Sequence, residues 1–121
     1  MFGRGHFLTN ADGMYAFRTV RPIPYPIPTD GPVGRMLSMM GRHPMRPAHI
    51  HAILQREGFR SLTTHMFIKG DLYLQSDTVF GVKASLIVDF VQQPPGHTPD
   101  GRGHCDEPFY TAEFNFTIAR L

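Results

Sequence analysis

The run Ala48-His-Ile-His-Ala-Ile-Leu54 sets two imidazoles into an otherwise aliphatic stretch. It is closed off by Pro47 before it and by Glu57-Gly58 after it, which makes it strand-sized rather than helix-sized. Successive side chains leave opposite faces of a strand, so His49 and His51 share one face. After the Glu57-Gly58 turn, residues 61–68 read as a second strand. Strand, tight turn and strand set the fold class: short strands joined by turns.

Reading outward from this pair keeps the same character. Gly41-Arg-His-Pro-Met-Arg-Pro47 is a loop, and Arg21-Pro-Ile-Pro-Tyr-Pro-Ile-Pro28 holds four prolines in eight residues. Such a stretch is neither helix nor central strand, so it is an extended, stiff loop that holds Tyr25 in place. Asn10-Ala-Asp-Gly13 is a turn signal between arms at 5–9 and 14–20, which predicts a hairpin. Asp30-Gly-Pro-Val-Gly34 is another turn, with a short helical turn expected over 35–40. Downstream, Lys69-Gly-Asp71 turns the chain, and Ser76-Asp77 is read as the cap of a short helix over 78–83. A strand is expected over 85–92 and a polar loop over 94–107. A final strand is expected over 109–118, with Ala112, Phe114, Phe116 and Ile118 on one face. About seven short strands at turn spacing predict an all-β fold, an antiparallel β-sandwich.

Composition agrees. Eleven prolines and twelve glycines in 121 residues leave few uninterrupted helical stretches, and the length suits one domain, 1–121, with one core. The formal charge is only +2 and the basic residues are scattered, which argues against nucleic acid as a partner. Cys105 is the single cysteine, so an internal disulfide and a thiolate cluster are excluded and a reducing cytoplasm is the expected compartment. No apolar run nears the roughly 20 residues that span a bilayer. The opening Met-Phe-Gly-Arg-Gly-His has no apolar leader behind it, so no membrane role is expected.

Two imidazoles two apart on a strand are a natural ligand pair for iron, zinc or copper. An exposed His-x-His is also an ordinary polar decoration of a strand, and spacing alone does not choose. Burying imidazoles without partners is costly, however, and these two interrupt an apolar strand. Tyr25, clamped between Pro24 and Pro26, reads by itself as a hydrophobic plug before it reads as a phenolate ligand.

The stretches Tyr25-Pro-Ile-Pro-Thr-Asp-Gly-Pro-Val-Gly34 and Arg46-Pro-Ala-His-Ile-His51 resemble the signature of intradiol ring-cleavage dioxygenases. Arg4-Gly5, Phe7, Asp12-Gly13 and Tyr15-Ala-Phe17 resemble the segment that precedes it, so the likeness runs from about residue 3 to 116. The resemblance implies a β-sandwich enzyme with mononuclear ferric iron, Fe(3+), bound by two tyrosines and two histidines. It implies a catechol-type diol and dioxygen as small-molecule partners, with opening of the ring between the hydroxyl-bearing carbons in aromatic catabolism. Carried over by position, Tyr25, His49 and His51 are metal ligands. Arg46 is the cation beside the substrate, and His65 stands where many catechol-cleaving relatives have glutamine.

Asp71-Leu-Tyr-Leu-Gln-Ser-Asp-Thr-Val-Phe-Gly-Val82 and the pair Pro99-Asp-Gly101 and Pro108-Phe-Tyr110 resemble the hydroxyquinol-cleaving branch of that family. Thr78 and Val79 then fall where the family lines its substrate pocket; Val79, Phe80 and Val82 also suit an ordinary core. Catechol or chlorocatechol cleavage is the alternative within the family, and an inert β-sandwich remnant or partner-binding module the alternative outside it. One departure stands out: the family's first tyrosine ligand precedes the Arg-Gly motif, and no tyrosine precedes Arg4. A helical N-terminal region that dimerises the family's enzymes is missing too. The chain therefore reads as a C-terminal part of such an enzyme, with one anionic ligand fewer, weaker iron binding and impaired turnover by itself. The full-length form is expected to be a homodimer.

Overall fold

The computed structural model describes residues 3–121; Met1 and Phe2, with which the leader reading begins, lie outside the described residues. The chain falls into two compact units: one is built from the stretch up to Arg21 with Gln92–Tyr110, the other from Pro22–Val91 with Thr111–Leu121. All the site residues expected from the sequence belong to the second unit.

That second unit is organised by the hairpin foreseen around Glu57-Gly58. Strands β3 (His49–Leu54) and β4 (Leu62–Ile68) pair antiparallel, with His49 opposite Phe67 and His51 opposite His65. Gly58 sits in the turn at φ +77°, a backbone state that glycine adopts without strain. The chain's end lies along this turn: Arg60 N–H donates to the Ala119 carbonyl at 2.8 Å and Leu121 N–H to that of Gly58 at 3.0 Å. Strand β3 is not uniformly buried as expected; His51 and Ile53 are exposed while Ile50, Ala52 and Leu54 are half-buried. Burial concentrates at the end of β4, where Met66, Phe67 and Ile68 are enclosed with Val88, Leu37 and Ala48. Each large apolar side chain buried there contributes about 1.5–3 kcal/mol.

The proline-rich stretch behaves as its sequence dictates. Its centre forms β1 (Tyr25–Pro26), which pairs antiparallel with β2 (Met45–Arg46), Tyr25 opposite Arg46. The short helix lies slightly earlier than expected, as α1 (Pro32–Met39), because Pro32 is pre-set for the first helical turn. Gly34 lets this helix press on Thr29, whose backbone occupies the place of any β-carbon there.

Five expectations change. No helix forms over 78–83: Phe80 takes φ +55°, which no helix accommodates, and only a single 3-10 turn, Ala84–Leu86, follows. The strand over 85–92 breaks at residues 89–90 into β5 (Ile87–Val88) and β6 (Val91–Gln93). Strand β5 runs parallel to β4, the one departure from antiparallel pairing among the registered pairs. The polar loop contains a two-residue hairpin, β7 (Gly96–His97) with β8 (His104–Cys105), and the last strand is only β9 (Phe109–Thr111), paired with β6. Beyond β9 the side-chain alternation nonetheless persists: Phe114, Phe116 and Ile118 are half-buried and their neighbours exposed.

In the first unit the Asn10 turn forms, with Asn10 Oδ1 accepting from the amides of Asp12 and Met14. Its arms do not make a strand ladder, although Phe7 and Phe17 stack at 5.1 Å across it. Arg18 clamps Asp100, at 2.9 and 3.2 Å, and Thr98.

Candidate functional site

One face of the β3–β4 hairpin carries His49, His51, His65 and Phe67, as the register requires. Ring centroids lie 4.8 Å apart for His49–His51, 5.6 Å for His51–His65 and 5.9 Å for His49–His65. Phe67, wholly buried, packs beneath them at 4.5 Å from His65 and 5.6 Å from His49. Tyr25 arrives from β1, its ring 5.4 Å from that of His49 and its Oη 3.4 Å from His49 Nε2. Thus the phenol and both imidazoles gather at one place.

The tautomer of His49 is fixed by its neighbour. Nδ1 lies 2.7 Å from the Pro47 carbonyl, which only accepts, so Nδ1 carries the proton. Nε2 is left bare and takes contacts from Arg46 Nη1 at 3.3 Å and from Tyr25 Oη. Burial holds the His49 pKa below its ordinary value; the Pro47 carbonyl opposes this, while Arg46, His51 and His65 reinforce it. Partial desolvation lowers the His51 pKa as well, with His65 and Arg46 adding to it. Both imidazoles are therefore neutral near pH 7, the state in which a histidine ligates a metal. The start of β3 is also anchored, because Ala48 N–H donates to Asp71 Oδ2 at 3.0 Å.

Arg46 is buried, and its charge is met by Asp77, with Nε–Oδ1 at 3.1 Å and Nη2–Oδ2 at 3.3 Å. Desolvation works against ionised Asp77 but is outweighed by Arg46 and by the amides of Gly81 and Val79, so its pKa lies below the carboxylate norm. Removing one member of such a buried pair costs about 3–5 kcal/mol. Sequence reading missed Asp77, assigning it to a helix cap. The residue does accept the amides of Val79 and Gly81, as a cap would, at 3.3 and 2.9 Å. The left-handed backbone at Phe80, which costs about 1–2 kcal/mol, turns the chain away from a helix.

The remaining expected residues line the same turn. Thr78 is buried and its Oγ1 has no hydrogen-bond partner among the described residues, while Val79 is 48% exposed. An unpaired buried hydroxyl costs about 1–3 kcal/mol, so this atom is suited to a bound polar group. His65 Nε2 donates to the Gly81 carbonyl at 3.2 Å, which ties β4 to the turn. His43 braces the approach to Arg46: its Nδ1 accepts from Met45 N–H at 3.1 Å, so its Nε2 donates to Ser76 Oγ at 2.9 Å. Among the described residues no three His, Cys, Asp or Glu side chains converge to hold a metal ion. Any third protein donor beside His49 and His51 has to be of another type, and the phenol of Tyr25 is the one at hand. Two neutral imidazoles and a phenol are donors of the kind that a borderline metal such as iron accepts.

A family model described as "Dioxygenase" matches residues 2–119. The chain belongs to the intradiol ring-cleavage dioxygenases, and its fold is the β-sandwich of their catalytic domain. Within that family it is 51% identical to a hydroxyquinol 1,2-dioxygenase of Rhodococcus opacus over 97% of this chain and 40% of the relative. It is 43% identical to a chlorocatechol 1,2-dioxygenase of Rhodococcus opacus, over 95% of this chain and 42% of the relative. A crystal structure of hydroxyquinol 1,2-dioxygenase from Pseudomonas putida DLL-E4 superposes with a TM-score of 0.85 at 43% identity, covering 93% of this chain and 40% of that one. The chain thus spans about 40% of the length of the relatives it matches.

Proposed function

We propose that this chain is the catalytic-domain part, one domain over residues 1–121, of an enzyme that opens hydroxyquinol or a related catechol-type diol with dioxygen. The observation that carries this reading is the approach of Tyr25 Oη to within 3.4 Å of the bare Nε2 of His49, with the His51 ring beside it. Tyr25, His49 and His51 would hold Fe(3+). When bound, the ferric ion supplies a Lewis-acidic centre that a diol chelates and that opens the ring to dioxygen.

The protein's own part is positioning, proton handling and charge. Pro47 presents His49 through Nδ1–H, leaving Nε2 to ligate. Tyr25, held by flanking prolines, is both a ligand and an acceptor for a substrate proton. Arg46, itself buried, supplies a fixed, preorganised cation for negative charge that builds on the ring oxygens. Thr78 Oγ1 is a hydrogen-bond group for the diol, and Val79 and His65 form walls of its pocket. Hydroxyquinol is favoured over chlorocatechol because the matching relatives bearing the first name are the more similar, 51% against 43% identity.

The test is oxygen uptake by the ferric-loaded chain with hydroxyquinol, catechol and chlorocatechol in parallel. Uptake matched by an open-chain dicarboxylate product, fastest with hydroxyquinol and lost in Arg46→Gln, is the expected result. With Tyr25 as the one phenol placed at the site among the described residues, turnover by the isolated polypeptide is expected to be slow. No product with any diol, together with no retained iron, would favour the non-catalytic partner-binding reading instead.

A further inference from the structure

A set of polar contacts converges on the short turn Asp77–Gly81. Asp77 Oδ1 and Oδ2 grip Arg46 and also accept the amides of Val79 and Gly81. Thr78 N–H donates to the Met45 carbonyl at 3.3 Å, and Arg42 Nη2 donates to the Thr78 carbonyl at 3.1 Å. The Arg42 guanidinium then lies over the Phe80 ring at 4.3 Å. Phe80 is the one described non-glycine residue at positive φ, and strain of that kind persists only where surrounding contacts over-determine it. The amides that Asp77 accepts belong to the residues on either side of Phe80. At Gly81 any β-carbon would meet Arg46 Nη2, Asp77 Oδ2 and His65 Nε2 within 3.1 to 3.5 Å, so the turn is pressed directly against the ion pair.

We propose that Asp77 is the positioning residue of this site, locking the Arg46 guanidinium and the Thr78–Gly81 turn into one rigid piece. The inference builds on the reading of Arg46 as the substrate-facing cation and of Thr78 and Val79 as pocket wall. A carboxylate has lone pairs enough to serve the guanidinium and both amides at once. An amide in its place keeps the shape but offers one acceptor oxygen, and its NH2 faces donors. Asp77→Asn therefore releases the cation and the turn together, whereas Asp77→Glu keeps the charge and re-forms part of the grip. The selectivity of the pocket and the placement of the cation are thereby one property, set by a residue that does not itself touch the diol.

Two readouts test this on the full chain. By nitrogen-15 NMR of the metal-free protein, exchange of Arg46 Nε–H and of the Val79 and Gly81 amides with water is expected to accelerate in concert, on the order of tenfold, in Asp77→Asn. The Phe67 and Ile68 amides of β4 are expected to hold their protection, and Asp77→Glu to recover part of the Arg46 signal. In ferric-loaded protein, kcat with hydroxyquinol is expected to fall on the order of 100-fold with a smaller change in KM, since a misplaced cation weakens the transition state more than binding. Wild-type exchange at Arg46 and at the turn in Asp77→Asn overturns the proposal, as does an unchanged kcat where the native chain turns over hydroxyquinol. If Asp77→Asn loses β4 protection and so fails to fold, Asp77→Glu decides: joint shifts at Arg46, Val79 and Gly81 support the coupling, and shifts at only one of the two sets refute it. Coupled exchange in a wild-type chain that cleaves no diol leaves the positioning role standing and overturns the proposed function instead.

Discussion

At position 81 a β-carbon would stand 3.1 Å from Arg46 Nη2 and 3.2 Å from Asp77 Oδ2, two atoms already committed to each other. Neither side chain can retreat without loosening a buried ion pair. Gly81→Ala is therefore expected to lose about 1–3 kcal/mol, the usual cost of overpacking, read as a lower urea midpoint with an unchanged slope. At the other acidic clamp, Arg18, Thr98 and the Arg102 amide hold the Asp100 carboxyl far below its ordinary range. The sign follows: a depressed carboxylate contributes stability that is full above its unfolded value near pH 4 and is lost as the pH falls toward the folded value. Protection of the Thr98 and Gly101 amides relative to free peptide, which they owe to bonds across this loop to Gly103 and Thr98, is expected to fall below about pH 4 in the native chain. In Asp100→Asn it is expected to be low at every pH. Neither clamp was visible in the sequence. Asp77 meets Arg46 across 31 positions and Asp100 meets Arg18 across 82, and nothing local in either stretch names the partner.

At the scale of elements, the legible parts were those whose cause is local. Period-two alternation around His49 and His51, the Glu57-Gly58 turn and the proline-clamped Tyr25 are each dictated within a few residues, and all three appear where the sequence places them. The misread parts depend on distant partners. A strand needs an edge to pair with, so residues 113–118 alternate in burial yet make no ladder, Ala112 is exposed against expectation, and residues 85–92 divide where the pairing edge changes from β4 to β9. The helix expected over 78–83 failed because Phe80 takes φ +55°, so that the amides of Val79 and Gly81 which Asp77 accepts belong to a turn and not to a helix. Phe67 is the element-scale keystone, fully buried under the imidazoles. Phe67→Ala is expected to cost about 3–5 kcal/mol, measured by thermal or urea unfolding, and to loosen the His49 and His65 rings that rest on it. Gly34→Ala is expected to weaken α1 by driving a methyl into the Thr29 backbone, seen as reduced helical signal and a lower melting temperature.

At the scale of the whole molecule, family membership rests on agreement between sequence, fold and site. The β-sandwich was legible from turn spacing and composition. The proposed ligand set rests on resemblance, because an isolated His-x-His and a clamped tyrosine each suit a structural role. The matched relatives are longer than this chain, which spans about 40% of them. The chemistry proposed for these 121 residues therefore turns on whether three side chains from two elements serve a single ion. The most direct measurement is a titration of the purified chain with ferric iron, followed by the visible tyrosinate-to-iron absorption in the native protein and in Tyr25→Phe, His49→Ala and His51→Ala. The expected result is a band that saturates at one iron per chain, vanishes in Tyr25→Phe and weakens with lost affinity in each histidine variant. A band of full intensity in Tyr25→Phe, or a native chain that retains no iron, would contradict it.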